Sequence, residues 1–322
     1  MRALVTGAAG FIGSNLVDRL LAAGHQVVGV DNLSSGTLVN LEHAFRYNTL
    51  SPGRFIFLRK DIQAPEMAGI VAGSYPDVIF HLAAQVDPQT AVNDPQFDAR
   101  SNVLGTINLC EASRLAGVRR IVYATSAVSR YAAQTTERSE LLSPCVVAKL
   151  AGEMYLRAYA DMYGLAPICL QLSNVYGPRQ NAHGTAGVVR LLGSAMVTGE
   201  LATVHRSDSA ALDLTYIDDV VEAFVRAGCG PTELTGTYHI TTGQHTTHVE
   251  LCRLMSAYFD SSSAPIAAED RSAEDGVVAP TGGKAKNELD WTPVVDLASG
   301  IRRTMHWLCG ALQPEPAISV GA

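Results

Sequence analysis

Gly7, Gly10 and Gly13 stand at three-residue spacing between a short β-rich run, Ala3–Thr6, and an amphipathic stretch, Ile12–Ala23. Glycines in that setting let the backbone turn tightly and approach a pyrophosphate closely. The first N–H groups of the following helix, at Phe11 and Ile12, then hold the negative charge together with the helix dipole. The spacing G-x-x-G-x-x-G is a variant of the commoner dinucleotide fingerprint, so its context carries the weight. A second β-rich run, Gln26–Val30, leads directly to Asp31. A carboxylate at that strand end accepts hydrogen bonds from adenosine ribose hydroxyls and repels a 2′-phosphate. No Arg or Lys stands beside it in Val30-Asp31-Asn32-Leu33-Ser34-Ser35-Gly36, so the cofactor expected is NAD, not NADP.

His239, His245 and His248 lie close together in sequence but bring no further Cys or His at ligand spacing, so no metal site is expected. The stretch reads as a strand, a loop and a helix start with threonine hydroxyls as caps. The six cysteines (110, 145, 169, 229, 252, 309) are scattered with no C-x-x-C pair, which suits reduced thiols in a cytoplasmic protein. Met1–Val5 runs straight into the glycine pattern, so no signal peptide is expected. A net charge of −7 argues against nucleic-acid binding. No apolar stretch is long enough to span a bilayer. With 47% hydrophobic and 17% charged residues, the 322-residue chain should fold around a sizeable core.

These residues need elements to position them. β-rich runs at Ala3–Thr6, Gln26–Val30, Arg54–Leu58, Val78–Leu82, Arg120–Ala124 and Pro167–Leu172 alternate with amphipathic stretches such as Ile12–Ala23 and Asn102–Leu115. Strands without period-2 alternation, separated by helices, predict an α/β fold: a doubly wound parallel sheet of Rossmann type. Beyond Asn174 the pattern loosens. The expected division is a nucleotide-binding domain over 1–173, a smaller C-terminal substrate lobe over 174–310 and a mobile tail over 311–322. Parts of 213–242 are expected to return to the first domain. The stretch Asp260–Gly283, rich in Ser, Ala, Asp and Gly, reads as loop.

The chain resembles the extended short-chain dehydrogenase/reductase family, specifically the nucleotide-sugar 4-epimerases with their dehydratase and decarboxylase relatives. Thr6–Gly13 and Asp31-Asn32-Leu33-Ser34-Ser35-Gly36 are similar to the cofactor signatures, and Asp61-Ile62 to the adenine-contacting pair. His81-Leu82-Ala83-Ala84-Gln85 and Asn102-Val103-Leu104-Gly105-Thr106 match the next two motifs. Asn174-Val175-Tyr176-Gly177-Pro178-Arg179, Tyr216-Ile217-Asp218-Asp219-Val220 and Leu289-Asp290-Trp291-Thr292-Pro293 match the second half. The resemblance implies that Gly7, Gly10, Phe11, Ile12, Gly13, Asp31, Asn32, Ser35, Gly36, Asp61, Ile62, Leu82, Ala83, Ala84, Gln85, Asn102 and Lys149 hold NAD. It also implies that His81 and Asp218-Asp219 have supporting roles, and that the protein is a homodimer paired through Phe97–Ala116 and Cys145–Tyr163.

The family's chemistry uses a Ser/Thr, and a Tyr and Lys at Y-x-x-x-K, one turn apart on a helical face. Ser126 and Lys149 stand at the Ser/Thr and Lys positions, but the Tyr position holds Cys145. Two readings stay open. Either the thiol serves as acid/base, its pKa of about 8.5 lowered by Lys149 and NAD⁺, or Cys145 is a small, partly buried residue without chemistry. Reach argues against the first, because Sγ ends about 4 Å short of a tyrosine oxygen. Tyr131, in the shortened connection Val128–Leu142, is an alternative phenol.

A second departure is Leu212, where many relatives carry an Arg that pairs with the nucleotide diphosphate. The resemblance assigns substrate contacts to Asn174, Val188 and Arg271; Arg179 and Arg206 are candidate substitutes for the missing cation, though Arg206 reads more readily as a solvated surface residue. Dehydratases place an Asp-Glu pair after the residue matching Thr125, and decarboxylases keep a Glu at the position of Ala127; Ser126-Ala127 carries neither. The expected reaction is therefore NAD-dependent epimerisation of a nucleotide-diphosphate sugar through a transient 4-keto sugar. A related sugar oxidoreductase, decarboxylase or dehydratase, or a catalytically impaired NAD-binding protein, are the alternatives.

Overall fold

A computed structural model of the protein describes residues 1–126, 143–181, 187–199, 212–259 and 282–312. Among these residues the chain forms nine strands: β1 (Arg2–Thr6), β2 (Gln26–Asp31), β3 (Phe55–Arg59), β4 (Val78–His81), β5 (Arg120–Ser126), β6 (Ala166–Leu172), β7 (Asn174–Tyr176), β8 (Leu214–Tyr216) and β9 (Gly236–Ile240). Seven of them build one parallel sheet in the order β3-β2-β1-β4-β5-β6-β9, and β7 pairs with β8 in a small parallel sheet of its own. The chain winds outward from β1 to β3 and then crosses back to β4 on the other side of β1. That reversal opens a crevice at the carboxyl ends of β1 and β4, where ligands of such sheets bind.

The first half supplies helices α1 (Phe11–Ala22), α2 (Glu42–Leu50), α3 (Met67–Ser74), α4 (Pro88–Asn93), α5 (Pro95–Ala99), α6 (Gly105–Ala116) and α7 (Pro144–Tyr163). The second half adds α8 (Val188–Thr198), α9 (Ile217–Cys229), α10 (His248–Ser256), α11 (Gly283–Leu289) and α12 (Leu297–Leu312). Alternate strand residues feed two cores. Ala3, Val5, Phe80, Val122 and Ile168 pack on the side of α1 and α9 with Leu16, Leu20 and Phe224. Leu4, Ile79, Ile121 and Cys169 pack on the side of α3, α6 and α7 with Val71, Leu109 and Leu156. Both faces of the central strands β1, β4, β5 and β6 are covered, which is why they carry near-continuous apolar runs, whereas the edge strand β3 leaves Ile56 exposed.

Local signals explain the element ends. The Ser143 hydroxyl accepts the Val146 N–H at 3.4 Å, Pro144 takes the first turn of α7, and Gly164 closes it in the left-handed conformation at φ 71°. Thr247 caps α10 through the Glu250 N–H at 3.1 Å. The helix expected over Asn102–Leu115 begins earlier and less regularly: a π-helical turn, Arg100–Leu104, joins α5 to α6. β9 returns to the edge of the main sheet beside β6, and α9 packs against α1. The C-terminal helix runs to Leu312, two residues past the expected boundary at 310, and residues 313–322 lie outside the described ones. No helix among the described residues is long and apolar enough to cross a membrane.

Candidate active site

The glycine loop stands at the end of β1 with its geometry set by sterics. Gly7 has φ 71°, and a Cβ there would meet the Ala83 nitrogen at 2.7 Å. A Cβ on Gly13 would fall 2.0 Å from the Gly7 carbonyl oxygen, so α1 packs directly under the turn. Gly10 precedes α1 without a side-chain cap, and no acidic residue occupies the first turn, so no side chain competes with an anion for the first N–H groups of the helix. This cradle fits the pyrophosphate of NAD. Asp31 binds it to the next loop: its carboxylate accepts the Ala9 N–H at 2.9 Å and the Leu33 N–H at 2.7 Å. Each oxygen keeps acceptor capacity for a ribose hydroxyl.

The adenosine side is equally built from short bonds. Asn32 donates to Asp61 at 2.7 Å, and Asp61 also accepts the Gln63 N–H at 2.8 Å. Ile62 is buried against Gly105, where a Cβ would strike it at 2.5 Å. Gly36 lies against Ala9 so closely that a Cβ would meet that backbone at 2.8 Å, and the exposed Ser35 offers its carbonyl to Asn181.

On the other side of β1, a buried chain of polar groups sets the loop from Leu82 to Gln85. The Thr106 hydroxyl donates to the Asn102 carbonyl at 2.7 Å, so it accepts from His81 Nε2 at 3.0 Å. His81 Nδ1 then accepts the Thr6 hydroxyl at 2.9 Å, and the Thr6 oxygen takes the Leu82 and Ala83 N–H groups, both at 3.2 Å. Burial, with the nearby Lys149 charge, brings the His81 pKa down to about 3, so the ring is neutral. It supports the loop and does not shuttle protons. Asn102 clamps Gln85 from both sides, accepting its N–H at 3.0 Å and donating to its carbonyl at 2.8 Å. Ala84 lies between these two anchor points, half-buried.

Three of the expected catalytic residues belong to elements that meet here: Ser126 ends β5, while Cys145 and Lys149 lie one turn apart at the start of α7. Lys149 is buried; its Nζ donates to the Ala124 carbonyl at 3.2 Å and lies 4.9 Å over the Tyr123 ring. Burial lowers its pKa to about 8, opposed by Cys145 and Asp98. The Cys145 thiol points to the Gln85 carbonyl at 3.9 Å. Its pKa moves opposite to the direction a thiolate base requires. Burial and then Asp98 raise it, and the pull of Lys149 is smaller.

The sequence reading did not include Asp98. It is buried on α5, with Oδ1 accepting Asn102 at 2.9 Å and Gln85 at 3.2 Å, and Oδ2 buried without a partner. Its four-residue spacing from Asn102 was the available signal. Tyr131 lies outside the described residues, as do Arg206 and Arg271.

In the second half, Asn174 begins β7 and donates both its backbone N–H and its side-chain amide to the Asp213 carbonyl, at 3.0 and 3.2 Å. The buried Asp213 carboxylate takes the Thr242 and Gly243 N–H groups, at 3.1 and 2.8 Å. Leu212 bridges antiparallel to Thr246 and packs on the core. Val188 opens α8 behind Gly187. Arg179, expected as a substitute phosphate donor, is instead held at 2.6 Å by Asp18 of α1, a carboxylate that competes for the same fork of donors. Asp219 accepts the Val294 and Val295 N–H groups at 3.1 Å, and the exposed Asp218 pairs with Arg303, so this acidic pair ties α9 to the segment before α12 and to α12 itself. Among the described residues no three His, Cys, Asp or Glu side chains converge as metal ligands.

Comparison with known proteins agrees with this geometry. The profile of the NAD dependent epimerase/dehydratase family matches residues 3–240. A UDP-glucose 4-epimerase of Mycolicibacterium smegmatis is 42% identical over 313 residues, covering 95% of this chain and 98% of that protein. The structure of a UDP-glucose 4-epimerase with UDP-glucose from Thermotoga maritima superposes with a TM-score of 0.83 at 33% identity, over 97% of this chain and 100% of that one. A Thermus thermophilus UDP-glucose 4-epimerase in complex with NAD gives 0.82 at 32% identity with the same coverage. A glycine cradle shaped for a dinucleotide, and these likenesses along nearly the whole length, place the chain in the NAD-dependent epimerase/dehydratase family.

Proposed function

We propose that the protein is an NAD-dependent UDP-sugar 4-epimerase working through a transient 4-keto sugar. The observation that carries the reading is the buried, charged Lys149 set beneath the carboxyl end of β5, beside the loop that Asn102 and Gln85 hold at the open end of the NAD cradle. NAD, when bound, accepts the hydride from sugar C4 and returns it to the opposite face. Lys149 holds the nicotinamide ribose, and Ser126 hydrogen-bonds the sugar oxygen at C4. Asn174, the first N–H groups of α8 at Val188, and Arg271 hold the diphosphate, with Arg206 a further donor. Cys145, its thiol held in the neutral form, is no base for the O4 proton; Ser126, a water or Tyr131 takes that proton as the hydride leaves C4 and gives it back when the hydride returns.

Three further parts belong to this reading. Asp31 selects NAD over NADP; comparable affinities for the two would remove that element. None of the six cysteines forms a disulfide, and a reducing cytoplasm belongs to the same reading. A homodimer pairs through α6 and α7, whose exposed faces carry Leu115, Val147, Met154 and Met162.

The deciding experiment incubates the protein with NAD and either UDP-glucose or UDP-galactose and separates the sugar nucleotides chromatographically. Approach to one mixture from both sides, without net NADH, is the expected result. Accumulating NADH would instead mark a sugar oxidoreductase. Cys145 and Leu212 favour one competing reading, an NAD-binding protein without turnover; no reaction with any UDP-hexose would establish it.

A further inference from the structure

Arg179 presents a different chemistry from the one its sequence position suggests. It is a non-glycine residue at φ 70°, a left-handed conformation that an arginine keeps only when its surroundings hold it there. The hold is visible. Its Nη2 meets Asp18 Oδ2 at 2.6 Å, with both side chains about four-fifths buried, and the second Asp18 oxygen faces His43 Nδ1 of α2 at 3.1 Å. One residue before, the Pro178 carbonyl accepts the Asn15 amide at 3.3 Å, and that amide also reaches the Phe11 carbonyl at 2.9 Å. Two residues after, Asn181 donates to the Ser35 carbonyl at 3.1 Å.

The contacts of Pro178, Arg179 and Asn181 all join the same two regions. On one side are α1, whose first turn faces the cofactor pyrophosphate, and the loop after Asp31, which faces the adenosine. On the other are residues 177–181, which follow directly on β7, the strand that Asn174 begins. We infer that Arg179 is a positioning residue, the centre of a strap over 177–181 that couples occupancy of the cofactor cradle to the shape of the sugar-nucleotide site. The strap has no contact to make with the sugar itself; it transmits order. A ligand that fixes α1 and the 32–36 loop fixes Pro178, Arg179 and Asn181, and a ligand on Asn174 and Val188 acts in return. Such coupling is reciprocal by linkage and commonly amounts to about 5- to 150-fold in affinity.

The inference rests on the UDP-sugar reading, and the test separates the two. The dissociation constant of NAD is measured on the full chain with and without saturating UDP, in the wild type, in Arg179→Asp, in Asp18→Arg and in the double swap. Aspartate is at ease in the left-handed conformation, so Arg179→Asp breaks the pair without adding backbone strain. UDP is expected to tighten NAD about tenfold in the wild type. Each single variant is expected to bring that ratio below about twofold, and the charge swap to recover most of it. Asn181→Ala removes an exposed tie and is expected to lower the ratio with little change in melting temperature, which serves if a charge variant does not fold. A ratio near one in the wild type overturns the coupling, as do single variants that melt earlier with the ratio intact. If UDP does not bind the wild type at all, the UDP-sugar reading fails first and the inference falls with it.

Discussion

At the scale of single residues, the centre is governed by a lysine in a dry site. Lys149 has lost water but gained the Ala124 carbonyl, the Tyr123 ring face, and the negative end of Asp98. On the proposed reading its charge serves the ribose and the developing sugar alkoxide, whereas the thiol one turn before is held protonated. Lys149→Ala is therefore expected to lower the epimerisation kcat by at least about two orders of magnitude, and Cys145→Ser by less than about tenfold. A loss of about a hundredfold in Cys145→Ser with NAD binding intact would make the thiol the acid/base and refute the reach argument. The pH profile follows from the same residue. With its pKa lowered to about 8, Lys149 is charged below that pH and neutral above it, so activity is expected to fall as pH rises through about 8. The groups that face Lys149 are Cys145 from α7, Asp98 from α5, His81 from β4 and Tyr123 from β5; of these, Asp98 alone is an acid that supports the cation. Asp98→Asn keeps the shape and removes that support, so the alkaline limb should move down by about one pH unit. An unmoved limb in that variant would show that Asp98 only holds Asn102 and Gln85 in place.

At the scale of elements, the sheet and the glycine turn were open to sequence reading because their causes are local. Six of the seven main strands stand within one or two residues of the apolar runs that announce them, since burial on both faces demands an uninterrupted run. The glycine loop was equally plain, and its strictest member is testable. A methyl group on Gly13 would overlap the Gly7 carbonyl at 2.0 Å, with backbone on both sides and nothing flexible to yield. Gly13→Ala is expected to abolish NAD binding or to cost at least about 3 kcal/mol of stability, read by denaturant melts with and without NAD. What sequence did not disclose depends on partners far along the chain. The π-helical turn at Arg100–Leu104 has no hydrophobic period of its own, yet it brings Asn102 to Gln85. Asp98 sits among ordinary helix residues, and its four-residue spacing from Asn102 does not by itself say that its carboxylate is buried. Arg179 is offered by the sequence as a candidate substitute for the phosphate-binding cation missing at Leu212. Its actual partner, Asp18, is 161 residues earlier in the chain. Local physics sets the elements, and distant pairing sets the use of their polar residues.

At the scale of the whole molecule, one face remains to be accounted for. Scattered apolar residues on a surface need no explanation, but these fall at helical spacing. Val147, Met154 and Met162 recur along α7 at intervals of seven and eight residues, with Ala151 and Ala158 between them and Tyr155 alongside, so they form one stripe. The opposite side of the same helix buries Lys149, Gly152, Leu156 and Tyr159 against the sheet and α6. Phe97, Leu104 and Leu115 extend the exposed apolar surface along α5, the π-turn and α6. Two such faces packed about a two-fold axis would give a stable interface of the usual size, about 1,200–2,000 Å² in total. Sedimentation of the wild type at micromolar concentration should therefore show a dimer, and a monomer there would refute the pairing. Met154→Glu places a carboxylate at the middle of the stripe, opposite its own copy. Two desolvated like charges cost several kcal/mol, enough to weaken the dimer by at least about a hundredfold. Because Met154 is 71% exposed in the single chain, the same substitution leaves the fold and the NAD cradle undisturbed. The variant is expected to sediment as a monomer that still binds NAD. A dimer that persists in Met154→Glu would place the interface on another face.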